Sequence, residues 1–182
     1  MEPKIPPPLL PRTRIENRTI GHLWLGFRDG PDYENPNLPD GTRFILGLPL
    51  PVFQRGLVWT VEQKVRFIES FWNQFHLGVY IVNDLNGTRG VGNVYEHPLQ
   101  DALVDGQQRP KALEDYWNNQ FPVFGHLWKD LPEFDQRRFK STTFGRGTVD
   151  IADEPTLRLA YDLLNFGGVA HEQEERARPD LA

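Results

Sequence analysis

Cysteine is missing altogether from the 182 residues, which excludes disulfides, thiolate-bound zinc and cysteine nucleophiles. No apolar run approaches the ~20 residues that span a bilayer. The start of the chain, residues 1–11, is rich in proline and lacks the basic start and apolar h-region of a secretory signal. A soluble, cytoplasmic protein with no membrane partner is expected. Basic charge is scarce as well: 20 Lys and Arg stand against 25 Asp and Glu, net −5, so the positive surplus of a dedicated duplex-DNA binder is not visible. Local basic groups remain at Arg12, Arg14 and Arg18 and at Arg137, Arg138, Lys140 and Arg146. There is no Gly-x-x-x-x-Gly-Lys-Ser/Thr loop, so any nucleotide binding is not of the Walker type. A Gly-x-Ser-x-Gly elbow is also absent, and the five histidines, His22, His76, His97, His126 and His171, show no metal-ligand spacing.

What is present is the composition of one globular domain, 38% hydrophobic and 12% aromatic. Residues 1–18 read as a proline-rich arm, residues 19–171 as the domain, and residues 172–182 as a charged, disordered tail. Residues 19–27 are apolar and aromatic and leave strand and helix open, whereas residues 29–41, with three prolines and two glycines, read as loop. Residues 43–50 read as a strand. Thr60 and Gln63 form a capping box for a helix over residues 61–75 with Val61, Val65, Ile68, Trp72 and Phe75 on its apolar face. A strand over residues 79–82 follows, then a loop with a turn at Asn86-Gly87, a strand over residues 99–104 and a helix over residues 110–119. A short helix is expected over residues 131–139 and a strand over residues 142–151, bent at Gly145 and Gly147. Asp153 caps a last helix through Leu164, stopped by Gly167 or Gly168. The predicted class is α+β: a single domain with a small mixed β-sheet packed by three or four helices.

The stretch that concentrates chemistry is Leu103-Val104-Asp105-Gly106-Gln107-Gln108-Arg109-Pro110-Lys111. An apolar strand end delivers it and Pro110 suits the first turn of the following helix, so the polar residues fall at a strand-to-helix turn. Free N–H groups and the positive end of the helix dipole favour a phosphate or carboxylate there. Gly106 would let the backbone approach the ligand. Arg109 can fork onto two phosphate oxygens, Lys111 can add a point charge, and Gln107 and Gln108 can donate and accept hydrogen bonds. Asp105 suits a Mg²⁺ ligand or the group that positions an attacking water. Gln54 and Arg55, just before the helix over residues 61–75, could converge on the same pocket from a neighbouring strand-to-helix turn. The bland readings stand beside these: an Arg55–Asp105 salt bridge that fixes the turns, glutamines that satisfy turn backbone, and a Trp59 that is core.

The same residues resemble a known family. Asp105-Gly106-Gln107-Gln108-Arg109 is similar to the DGQQR motif of the N-terminal domain of GmrSD-type modification-dependent restriction proteins, a ParB/sulfiredoxin-like domain. Leu50-Pro51-Val52-Phe53-Gln54-Arg55-Gly56-Leu57-Val58-Trp59 resembles the family's proline, aromatic, Gln-Arg, Trp segment. Leu164-Asn165-Phe166-Gly167-Gly168 resembles its Leu-Asn-x-Gly-Gly segment. The blocks occur in the family's order. The absence of cysteine removes sulfiredoxin chemistry, and Pro110-Lys111-Ala112 stands where a Leu-Thr-Thr-like continuation is commoner. Relatives usually continue into a His-Asn-His-type nuclease domain, whereas here the sequence ends soon after the third block.

The resemblance implies Mg²⁺-dependent nucleotide binding, with NTP hydrolysis or phosphoryl transfer linked to DNA restriction, modification or its evasion, in a bacterial or phage-infected cell. Asp105, Gln108 and Arg109 would be catalytic, with Asp105 also the metal ligand. Gln54, Arg55, Gly106, Gln107, Lys111, Asn165 and His171 would bind phosphate or substrate. DNA and a restriction or modification protein are the implied partners beside the nucleotide. Two other readings stay open, a nuclease or nickase using the same pocket and a non-enzymatic inhibitor or adaptor.

Overall fold

The computed structural model describes residues 10–75 and 77–166. The glycine stop after the last helix, His171 and the charged tail lie outside those residues. The chain order is β1 (Arg14–Thr19), α1 (Gly21–Asp29), β2 (Phe44–Ile45), β3 (Leu48–Pro49), α2 (Val61–Trp72), β4 (Val79–Asn83), β5 (Leu103–Asp105), α3 (Gln108–Trp117), α4 (Glu133–Lys140), β6 (Thr143–Val149) and α5 (Glu154–Phe166), with short 3₁₀ turns at Val94–Glu96 and Trp128–Asp130. This is the expected α+β class, a mixed sheet with helices, though with five helices among the described residues instead of three or four.

The main sheet runs β1-β6-β4-β5. Strands β4 and β6 are parallel, and the outer pairs β1–β6 and β4–β5 are antiparallel. Alternation along the strands separates two cores. Tyr80, Val82, Leu103 and Phe144 face a large aromatic cluster shared with α1 to α4, whereas Ile81, Val104 and Val149 face a smaller one closed by Leu157, Ala160 and Tyr161 of α5. Helix α5 therefore covers one face alone. The β5 strand is an edge, and it ends where α3 begins.

Several elements differ from the sequence expectation for identifiable reasons. Residues read as part of the arm form β1, a sheet-edge strand whose residues are mostly exposed and so carry no alternating apolar signal. Residues 43–50 form a hairpin, β2 and β3, turning at Leu46-Gly47, both at positive φ. The undecided segment is helix α1, and its Gly26 lies against the Leu46 carbonyl, where a Cβ would come within 2.1 Å. On α2 the capping box forms as expected, Thr60 accepting from the Gln63 amide and the Gln63 side chain from the Thr60 amide. Its buried face is Phe67, Ile68 and Phe71, while Val61 and Phe75 are exposed. Gly145 and Gly147 leave the pairing of β6 with β1 and β4 without a register break. They leave room for the neighbouring β4 side chains, since a Cβ at Gly145 would lie 2.6 Å from Val79 Cγ1 and one at Gly147 3.0 Å from Ile81 Cγ1. Arg146, between them, is buried and paired with Glu16 at 2.9 Å and Asp84 at 3.4 Å, so it is no part of a free basic surface.

Candidate functional site

The turn from β5 into α3 is built by Gly106. Its φ of +81 lies in the left-handed region, and a Cβ there would meet Val79 O at 3.0 Å and Tyr80 Cα at 3.1 Å. The glycine is thus required by the approach of the motif to β4. Helix α3 then begins at Gln108, earlier than the proline suggested. Pro110 sits in the first turn, where its missing N–H has no intrahelical acceptor to lose.

The two glutamines of the motif and Gln54 fasten the segment before α2 onto this turn. Gln54 is buried and its Nε2 donates to the carbonyls of Leu103 and, at 2.9 Å, Val104 on β5. Gln107 Nε2 donates to Arg55 O at 2.8 Å. Gln108 Oε1 accepts from the amides of Val58 and Trp59, each at 3.2 Å, and its Nε2 donates to Gly56 O at 3.3 Å. The bonds from Gln107 and Gln108 satisfy backbone that belongs to no helix or strand. Gln107 is only 4% exposed, and its Oε1 has no hydrogen-bond partner among the described residues.

What the fastening encloses is a small polar cavity of about 150 Å³, lined by Gln54, Arg55, Trp59, Asp105 to Arg109, Tyr161 and Asn165. Eight of the ten residues assigned to the site from sequence line it. Arg55 and Asp105 are both half-buried, and among the described residues no ion pair or side-chain hydrogen bond neutralises either, so the fixing salt bridge does not form. The two face the Tyr161 phenol of α5: burial pushes its pKa up, the charge of Arg55 opposes this, and the Asp105 carboxylate adds to it. The Tyr161 hydroxyl also accepts from the Arg55 amide at 3.3 Å, and Asn165, one turn on, donates to Tyr161 O at 2.9 Å.

Two sequence assignments take other geometry. Arg109 lines the cavity, yet its Nη1 donates to Val79 O at 2.7 Å and its guanidinium lies against Gly78 and Gly106. It clamps the turn to the start of β4, with one edge of the fork already spent. Lys111 is not in the cavity. It points along α3 to Glu114 at 2.6 Å and Asp115 at 2.8 Å, and Asp115 also binds Lys64 of α2 at 2.7 Å. A lysine three and four residues before two carboxylates on a helix is the signal that should have been read. Tyr161 lines the cavity too, although its sequence position carries no motif, and Trp59 both packs edge-on against Phe67 at 5.4 Å and lines the cavity.

The fold is thus a mixed α+β domain in which one strand-to-helix turn and the irregular segment fastened to it frame a charged polar cavity. Residues 41–176 match the family described as GmrSD restriction endonuclease, N-terminal domain, and the chain belongs to that family. Its role accordingly lies in restriction systems. No curated protein and no solved structure matches the chain.

Proposed function

We propose that this cavity binds the phosphates of a nucleoside triphosphate with Mg²⁺ and supports phosphoryl transfer, most simply hydrolysis, coupled to restriction through DNA and a restriction or modification protein. The single observation that carries the reading is the unneutralised pair, Arg55 and Asp105, on one cavity at the N-terminus of α3. A half-buried cation and anion left apart suit a ligand that brings both signs. A metal-bound phosphate is such a ligand.

The oxygens present fit the metal. The Asp105 carboxylate and the free Gln107 Oε1 are hard donors on one cavity, and Mg²⁺ is ordinarily held by one or two protein oxygens with the rest supplied by phosphate and water. Among the described residues no group of three or more His, Asp or Glu converges to hold a metal without such help. When bound, Mg²⁺ would neutralise charge on the transferred phosphoryl group. The chain's own residues do the remainder. Arg55 offers guanidinium donors to phosphate oxygens, α3 presents its dipole, Asp105 orients a water, and Arg109 holds the turn rigid. Asn165 lies within the cavity wall for a further polar contact. Among the described residues no helix is long and apolar enough to cross a membrane.

The test is phosphate release from each NTP by the full chain with Mg²⁺, with and without DNA, comparing wild type with Arg55→Ala and Asp105→Ala. Release abolished in both, with both folded, supports the reading. Absence of release and of any nucleotide-induced thermal shift in the wild type refutes it.

A further inference from the structure

Two turns in the chain share a backbone and differ in their surroundings. Leu46-Gly47 joins β2 to β3 with φ of 52 and 80. Phe124-Gly125 joins Val123 to His126, which exchange hydrogen bonds of 2.9 and 3.0 Å, with φ of 50 and 81. In both, a bulky side chain occupies the left-handed position that favours asparagine or glycine. Leu46 is 3% exposed, so burial in the core offsets its strain, and its amide donates to Glu114 Oε1 at 3.1 Å. Phe124 is 58% exposed. Most of that ring's surface is left to solvent.

Phe124 itself forms part of the wall of a cleft of about 230 Å³, together with Trp72, Tyr116, His126, Asp135 and Arg138, whose guanidinium lies 5.2 Å over the Trp72 ring. The cleft is of mixed polarity, and its volume exceeds the ~150 Å³ in which a benzene ring fits. The Tyr116 hydroxyl in the cleft wall is buried without a hydrogen-bond partner among the described residues, the Trp72 indole lying nearby but outside hydrogen-bond geometry. A second ring stands near the rim: Phe134 is 66% exposed and lies one helical turn from Arg138 on α4.

A projecting ring and a cleft that fits it, side by side on one face, are what a two-fold axis needs, because each copy then supplies the ring that the other receives. The charges on α4 agree. Its first turn carries Glu133 and Asp135 and its last turn Arg137, Arg138 and Lys140, so two α4 helices crossing antiparallel set acidic ends against basic ends. We propose that this face joins two copies of the chain, with Phe124 of each seated in the cleft of the other and Asp135 of each facing Arg138 of its mate.

The experiment is sedimentation equilibrium on the full chain across about 1–100 µM, a span that covers micromolar association. Wild type is expected to be a concentration-dependent dimer. Phe124→Asn places the residue preferred by this turn, so the variant should be monomeric and, at the lowest concentration, melt at or above the wild-type temperature. Asp135→Arg and Arg138→Asp should each weaken the dimer at least tenfold, and the double variant should restore it. Wild type monomeric throughout, a dimer unchanged in Phe124→Asn, or no recovery in the double variant would each overturn the proposal. So would a monomeric wild type that binds a single-stranded oligonucleotide and loses it in Phe124→Asn, which would give the face to nucleic acid.

Discussion

Replacing Gly106 by alanine separates the two demands that the turn makes on its glycine. The left-handed backbone at φ +81 costs an L-residue about 1–2 kcal/mol. The added methyl would also lie 3.0 Å from Val79 O, 3.1 Å from Tyr80 Cα and 3.2 Å from Arg109 Nη1. The first two are backbone atoms of a strand paired on both sides and cannot move aside, so crowding adds about 1–3 kcal/mol. The sum is about 2–5 kcal/mol. Gly87→Ala is the matched control, because Gly87 has a φ of +82 with nothing within 4 Å of the new methyl. That variant should lose only the backbone part. The unfolded-state entropy gained by a Gly→Ala change is common to both and cancels in the difference. Urea unfolding of the two proteins against wild type gives the difference directly, and melting should drop roughly 2–4 °C per kcal/mol for a domain of this size. If Gly106→Ala and Gly87→Ala lose equal stability, the close packing of the motif on β4 is not what the glycine serves.

Further outcomes are expected. Asp105→Asn should leave urea stability within about 0.5 kcal/mol of wild type, because no ion pair holds that carboxylate among the described residues, while removing phosphate release. Arg109→Ala should instead lose about 1–3 kcal/mol in the same assay by leaving Val79 O without its donor. Burial opposes the charge of Lys111, but Asp115 and Glu114 outweigh it and raise its pKa. Its contribution is therefore complete below the unfolded value of ~10.4 and is lost as pH rises through the higher folded value. Lys111→Met should consequently flatten the alkaline fall in melting temperature measured above about pH 10. Asp153 accepts the Thr156 amide at 2.9 Å at the start of α5, and Asp153→Ala should cost about 1 kcal/mol in thermal melts at neutral pH.

The parts of the fold legible in the sequence were those governed by local rules. The capping box at Thr60, the buried face of α3 through Leu113, Tyr116 and Trp117, and the Asp153 cap all depend on residues a turn apart. The site was legible through the DGQQR block and the Leu50 to Trp59 block, which together brought most of its lining residues with them. What could not be read was set by neighbours distant in sequence. Strand β1 is mostly exposed and takes its conformation from β6, and the glycines of β6 answer to Val79 and Ile81 of another strand. Arg109 looked like a free phosphate ligand because its partner, the Val79 carbonyl, lies thirty residues away. The stripe on α2 was right at Val65, Ile68 and Trp72 but left out Phe67 and Phe71, which meet Phe144 of β6, a contact that a helical wheel does not contain.

The glutamine fastenings have a consequence for how this chain can change over time. Gln54 serves the backbone of Leu103 and Val104, while Gln107 and Gln108 serve the backbone of Arg55, Gly56, Val58 and Trp59. Each block holds the main chain of the other, so neither is a self-sufficient motif. A chimera that takes one block from a distant relative should fold poorly, and one that takes both should recover. Heredity should therefore treat two stretches about fifty residues apart as a single unit.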